Sequence, residues 1–146
     1  WQHITVCYDG GTTGSASGSV NNYYSRFKIY INGSLQTVNN SNANYGWSGA
    51  ITGQNFRVGR LVSGSHMRDA NVDELAIWDS DQSANVSAIY NGGNPFDLMT
   101  LTDKPMHWWR MGDGDTYPNL QDNGTQANCV FIMYSMTAAS IVNDVP

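Results

Sequence analysis

The chain is 146 residues long, with 7 Lys and Arg against 12 Asp and Glu, a net charge of -5, 13% charged residues and 15 glycines. That length suits one domain with one core, and that composition fits a turn-rich β-protein better than a helical bundle or coiled coil. The few scattered cations argue against a nucleic-acid partner, no apolar run reaches the roughly 18 residues of a membrane span, and no secretory leader pattern opens the chain.

In chain order, residues 2–8 alternate as a strand and run into Asp9-Gly10. Because Trp1 already stands in a strand pattern, the chain is expected to start partway through a larger polypeptide. Residues 10–22, rich in Gly, Ser and Thr, are expected to form a flexible surface loop. In the next segment Phe27, Ile29 and Ile31 alternate with Lys28 and Tyr30, the period of a strand with one buried face. Asn32-Gly33 suits a two-residue type I′ turn, and residues 35–38 supply the return strand. A second polar loop is expected over residues 39–53, which carry Tyr45 and Trp47 among several asparagines. Strands follow at 56–61 and 71–78.

A helix is expected over Ser83 to Gly93, capped by Asp81 or Ser83 and ended by Gly92 or Gly93 before Pro95. A further strand is expected at 107–112, and a second short helix over Thr137 to Val142. Many short strands with one or two short helices predict an all-β, antiparallel two-sheet sandwich. In Trp108-Trp109, one ring is expected in the core and the other outward or toward another element. Cys7 sits in a strand pattern and reads as a small core residue, with a bridge to the distant Cys129 as the alternative.

The chemistry-bearing residues fall into three groups. Asp113, Asp115, Tyr117, Asn119 and Asp122 could bring hard oxygen ligands together around Ca²⁺, and calcium is the one cofactor the residues suggest. The alternative is a solvated turn whose Asp and Asn bond their own backbone. Asp73-Glu74 reads as a structural acidic pair with Arg60 or Arg68 as partner, with a ligand role as the alternative. Tyr23, Tyr24, Tyr45 and Trp47, set among Asn and Ser, could stack on sugar rings; the alternatives are that Trp47 folds back over the sandwich edge or that the loop packs against a neighbouring subunit. His3, His66 and His107 show no zinc spacing, and no Gly-x-Ser-x-Gly elbow or phosphate loop occurs. Sequons at Asn32, Asn39, Asn85 and Asn123 matter only in a secretory pathway.

Residues 1–10, Phe27 to Leu35, Phe56 to Arg60, Asn71 to Trp78 and the helix ending Ile89-Tyr90-Asn91-Gly92-Gly93 follow one another in an order that resembles laminin-G-like modules. These modules belong to the concanavalin A-like jelly-roll superfamily. The resemblance covers residues 1–95 as the C-terminal part of such a sandwich. Residues 96–146 then hold a segment, His107 to Asp115 and Asp122 to Thr125, that looks like the opening strand of such a module, displaced to a later position. It either belongs to a following repeat or fills the place of missing N-terminal strands. Asp115-Thr116-Tyr117-Pro118-Asn119 is similar to the metal loop of legume lectins, which implies Ca²⁺ at those positions with Asp113, although Asp122 stands at a different spacing.

The superfamily's hydrolases carry Glu-x-Asp-x-x-Glu on one strand. No such run exists here, and adjacent Asp73 and Glu74 should point to opposite faces, so no enzyme is expected. The tail from Met136 to Pro146 is similar to C-termini of marine phage structural proteins. The resemblances together imply a virion surface protein, a capsid decoration or tail-fibre module, that binds host glycan or braces neighbouring subunits in an oligomer. The alternatives are an extracellular adhesion module that binds carbohydrate and, third, a glycoside hydrolase.

Overall fold

The computed structural model describes residues 1–8, 27–37, 56–59 and 70–142. Strands β1 (Ile4–Tyr8), β2 (Phe27–Ile31) and β3 (Ser34–Leu35) form an antiparallel sheet in the order β1-β2-β3. The turn between β2 and β3 is as predicted. Asn32 and Gly33 take φ of 49° and 75°, and this pair of left-handed residues matches the twist of a tight hairpin. Asn32 also ties the far edge, because its N–H donates to the His3 carbonyl and its Oδ1 accepts from the His3 N–H, both at 2.9 Å.

The register pairs Ile4 with Ile31, Val6 with Ile29 and Tyr8 with Phe27, so these six side chains share one face. Ile4 and Val6 remain 63% and 59% exposed there. The opposite face meets the chain around the helix α1 (Val86–Tyr90). Lys28 Nζ donates to Ser83 Oγ at 3.2 Å, the rings of His3 and Tyr90 lie 5.6 Å apart, and Cys7 is buried.

Strands β4 (Leu75–Ile77) and β5 (His107–Trp109) make a second antiparallel pair, with Ala76 opposite Trp108. Trp108 joins Ile89 of α1 and Leu98 in the buried core, with Ala76, Trp78, Phe96, Met99 and Leu101 packed around them. Strands β6 (Asn119–Leu120) and β7 (Phe131–Ile132) form a third pair. Among the described residues the chain is therefore strand-dominated and antiparallel, with one short α-helix. No helix among the described residues is long and apolar enough to cross a membrane.

Several boundaries differ from expectation for local reasons. The strand expected at 71–78 begins only at Leu75, because Glu74 adopts φ of 53°, outside strand geometry. The strand expected at 107–112 stops at Trp109, and Met111 at φ 54° turns the chain away. The helix expected over 83–93 is regular only over Val86–Tyr90. Ahead of it, Asp81 Oδ1 accepts from the Ser83 N–H at 2.9 Å, and behind it Asn91, not glycine, takes the first left-handed position. The second predicted helix is a single 3₁₀ turn at Ala138–Ser140.

Residues 56–59 carry no strand, and 60–61 lie outside the described residues. Cys7 and Cys129 are both free, so the bridge is not formed. Both rings of Trp108-Trp109 are buried. The second turns toward another element, with the Trp109 and Phe131 rings 4.3 Å apart.

Candidate functional site

Strand β5 is the element on which the chemistry gathers. It has β4 along one edge, while the segment after Leu120 runs along the other. There the Asn123 N–H donates to the Trp108 carbonyl at 2.6 Å and the Gln126 N–H to the Met106 carbonyl at 3.0 Å. Gly124 permits this close approach, since a Cβ at that position would stand 2.5 Å from the His107 Cα. Alternation along β5 puts His107 and Trp109 on one face, their rings stacked at 5.5 Å, and Trp108 on the other.

On the Trp109 face lies a cluster of three chemically distinct groups. Asp122, with its side chain only 1% exposed, accepts from His107 Nδ1 at 2.5 Å through Oδ2. The same oxygen accepts from the Cys129 N–H at 3.3 Å, and Oδ1 accepts from the N–H groups of Trp108 and Gly124 at 3.0 and 2.9 Å. Burial alone would raise the Asp122 pKa. The donors of Trp108, Gly124, His107 and Cys129 outweigh that and hold the carboxyl below its ordinary value. An ionised carboxylate can only accept, so the short contact places the shared proton on His107 Nδ1. Cys129 completes the group. Its ligand atom and those of His107 and Asp122 all lie within 4.8 Å of one another. The Cys129 carbonyl accepts from Trp109 Nε1 at 2.8 Å, which holds the backbone there beside the pair, while the exposed thiol donates to Asn128 Oδ1 at 3.4 Å.

A second network occupies the Trp108 face. Glu74 accepts from Trp108 Nε1 at 2.6 Å and from Arg110 Nε at 3.1 Å. The guanidinium lies 5.3 Å above the Trp108 ring centroid and its Nη2 meets Asp113 Oδ2 at 2.7 Å. Burial raises the pKa of Glu74 against the opposing hydrogen bonds of Trp108 and Arg110, and burial likewise raises that of Asp73. Beside this network opens a pocket of about 500 Å³ lined by Pro95, Phe96, Asp97, Met99, Trp108, Arg110 and Asn123.

The predicted residues are distributed as follows. Asp113 pairs with Arg110, and Asp115 accepts from the N–H groups of Gly112 and Gln121 at 3.0 and 2.7 Å. Tyr117 donates its hydroxyl to the Met136 carbonyl at 3.0 Å, and Asn119 belongs to β6. Of the expected calcium set, only Asp122 enters the cluster that the described residues gather, and its companions are His107 and Cys129. Tyr23, Tyr24, Tyr45 and Trp47 lie outside the described residues. The ion pair expected for the acidic dipeptide is present at Glu74, with Arg110 as its partner, while Arg60 and Arg68 lie outside the described residues.

His107 and Cys129 were not legible as site residues, because the three groups are separated by 15 and 7 positions and meet only through the fold. The one local signal was Asp122-Asn123-Gly124, a turn sequence whose Asp carboxylate is free to accept from distant backbone. Compared with protein-family models, with curated proteins and with solved structures, the chain matches none.

Proposed function

We propose that this chain is a non-enzymatic β-sandwich module of a virion surface, a capsid decoration or tail-fibre piece, that braces neighbouring subunits or binds host glycan. In this reading the fold is a laminin-G-like, two-sheet jelly roll. The observation that carries the reading is the exposed apolar face of the first sheet, where Ile4 and Val6 stand beside Phe27, Ile29 and Ile31. Contiguous apolar surface of this kind marks contact with another protein layer. The occupant is a second sheet supplied by an adjoining module or subunit, because the face is pleated and uncharged and packed sheets bury such faces about 10 Å apart. Support for the non-enzymatic part is that Glu74, Asp113, Asp115 and Asp122 are each held by protein donors, the setting of structural carboxylates and not of a free acid and nucleophile.

A secreted or cell-surface adhesion module that binds carbohydrate is the second reading. The pocket favours it, with the Phe96 ring to stack on a sugar and the Asn123 amide to bond hydroxyls. Light scattering of the purified protein, together with a glycan array and a hydrolysis assay, tests both. Concentration-dependent association without glycan retention supports the bracing role, and glycan retention without cleavage supports recognition. A strict monomer that retains no glycan, or one that cleaves glycans, overturns the proposal.

A further inference from the structure

We infer that His107, Asp122 and Cys129 form a binding site for a borderline transition-metal ion, Zn²⁺ in the first place, with one coordination position left to water. Imidazole nitrogen, carboxylate oxygen and thiolate sulfur are the three donor types that zinc takes. All three ligand atoms already lie within 4.8 Å of one another. Tetrahedral bonds of roughly 2.0–2.3 Å require ligand atoms about 3.3–3.8 Å apart. The His107–Asp122 contact at 2.5 Å must therefore open by about 1 Å while the thiol closes in by a similar amount. Cys129 is exposed, so its side chain has room to make that movement.

Preorganisation is the second half of the argument. Asp122 is held by the Trp108 and Gly124 N–H groups on the oxygen that faces away from His107. His107 is stacked on Trp109, and the Trp109 indole in turn fixes the Cys129 carbonyl at 2.8 Å. These outer contacts orient first-shell ligands in the way metal sites need. A calcium ion does not fit this set, since it takes oxygen ligands and has no use for a thiol.

Binding balances simply. The metal takes the sulfur lone pair as the thiol proton leaves to solvent, and it takes the Nδ1 lone pair as the proton shared with Asp122 moves to Nε2. One proton is thus released to solvent for each ion bound.

The test is titration of the metal-free protein with Co²⁺ and then displacement by Zn²⁺. The expected result is one equivalent bound, a sulfur-to-cobalt charge-transfer band, and visible bands of tetrahedral intensity that vanish as zinc is added. Cys129→Ser, an exposed substitution that leaves the core untouched, should abolish the charge-transfer band and weaken Zn²⁺ by at least about tenfold. Zinc should also slow alkylation of Cys129, with buried Cys7 as the internal reference. Equal binding by the wild type and Cys129→Ser, or no cobalt spectrum from a folded wild-type protein, overturns the site.

Discussion

Asp122 concentrates more hydrogen bonds than any other described carboxylate, and the consequences can be worked out from its partners alone. Asp122→Ala would leave the N–H groups of Trp108, Gly124 and Cys129 and the Nδ1 of His107 without their acceptor. Orphaned buried donors cost about 1–3 kcal/mol each where water cannot replace the acceptor, and here some can be rehydrated. A loss of about 3 kcal/mol in urea denaturation is expected, and a loss under about 0.5 kcal/mol would show that these bonds contribute little. The pH dependence has opposite signs at two carboxyls. Asp122 has a folded pKa below its ordinary 3.8, so its contribution is present above that value and is lost as pH falls through the folded pKa. Glu74 has a folded pKa above its ordinary 4.5, so its contribution is present below that value and is lost as pH rises through the folded pKa. Stability measured against pH should therefore pass through a weak maximum on the acid side. Glu74→Gln should flatten the side toward neutral pH, and Asp122→Asn the side toward strong acid. An unchanged profile in both variants would remove these two groups from the account.

At the scale of elements, the β2–β3 hairpin offers a clean comparison. Gly33 holds φ of 75°, and an added Cβ would come within 2.9 Å of Tyr90 Cδ1, whereas at Gly92, with φ of 65°, the nearest atom is 3.8 Å away. Gly92→Ala pays only the left-handed backbone cost of about 1–2 kcal/mol. Gly33→Ala pays that and the collision with Tyr90, so its unfolding midpoint should drop further, and equal midpoints would mean the Tyr90 contact yields freely. The same hairpin shows what was readable in advance. Its alternation and its Asn-Gly turn are written within twelve consecutive residues, so periodicity and turn chemistry suffice to place it. The helix was placed correctly but read too long, since Asn91 ends it before the glycines act. Strands β6 and β7 have two residues each, too few for any period to register. The site was least legible. The pairing of Glu74 with Arg110 and the meeting of His107, Asp122 and Cys129 are set by the β4–β5 register and by the chain segment along the far edge of β5, and no local pattern encodes those.

The whole molecule poses the question of what the first sheet is for. One face of it meets the region of α1, through Lys28, His3 and Cys7, and the other presents Ile4 and Val6 to solvent. If the proposed second sheet comes from an adjoining module or subunit, the isolated chain does not depend on that face for its own stability. Val6→Asp is then an exposed substitution, and in the purified protein it should change the unfolding free energy by no more than about 0.5 kcal/mol. The same charge buried in an assembly would have no partner, and desolvating it costs several kcal/mol. Val6→Asp should therefore abolish self-association, or incorporation into a particle, while leaving circular dichroism and the melting curve of the monomer unchanged. Lys28→Ala, on the opposite face, should leave association intact, which makes it the matching control. Had the chain covered this face with its own residues, Val6→Asp would instead unfold the monomer, since an unpaired charge would then lie in its interior. An unfolding free energy lowered by several kcal/mol in the isolated variant would thus refute the external second layer and assign the sandwich to a single chain.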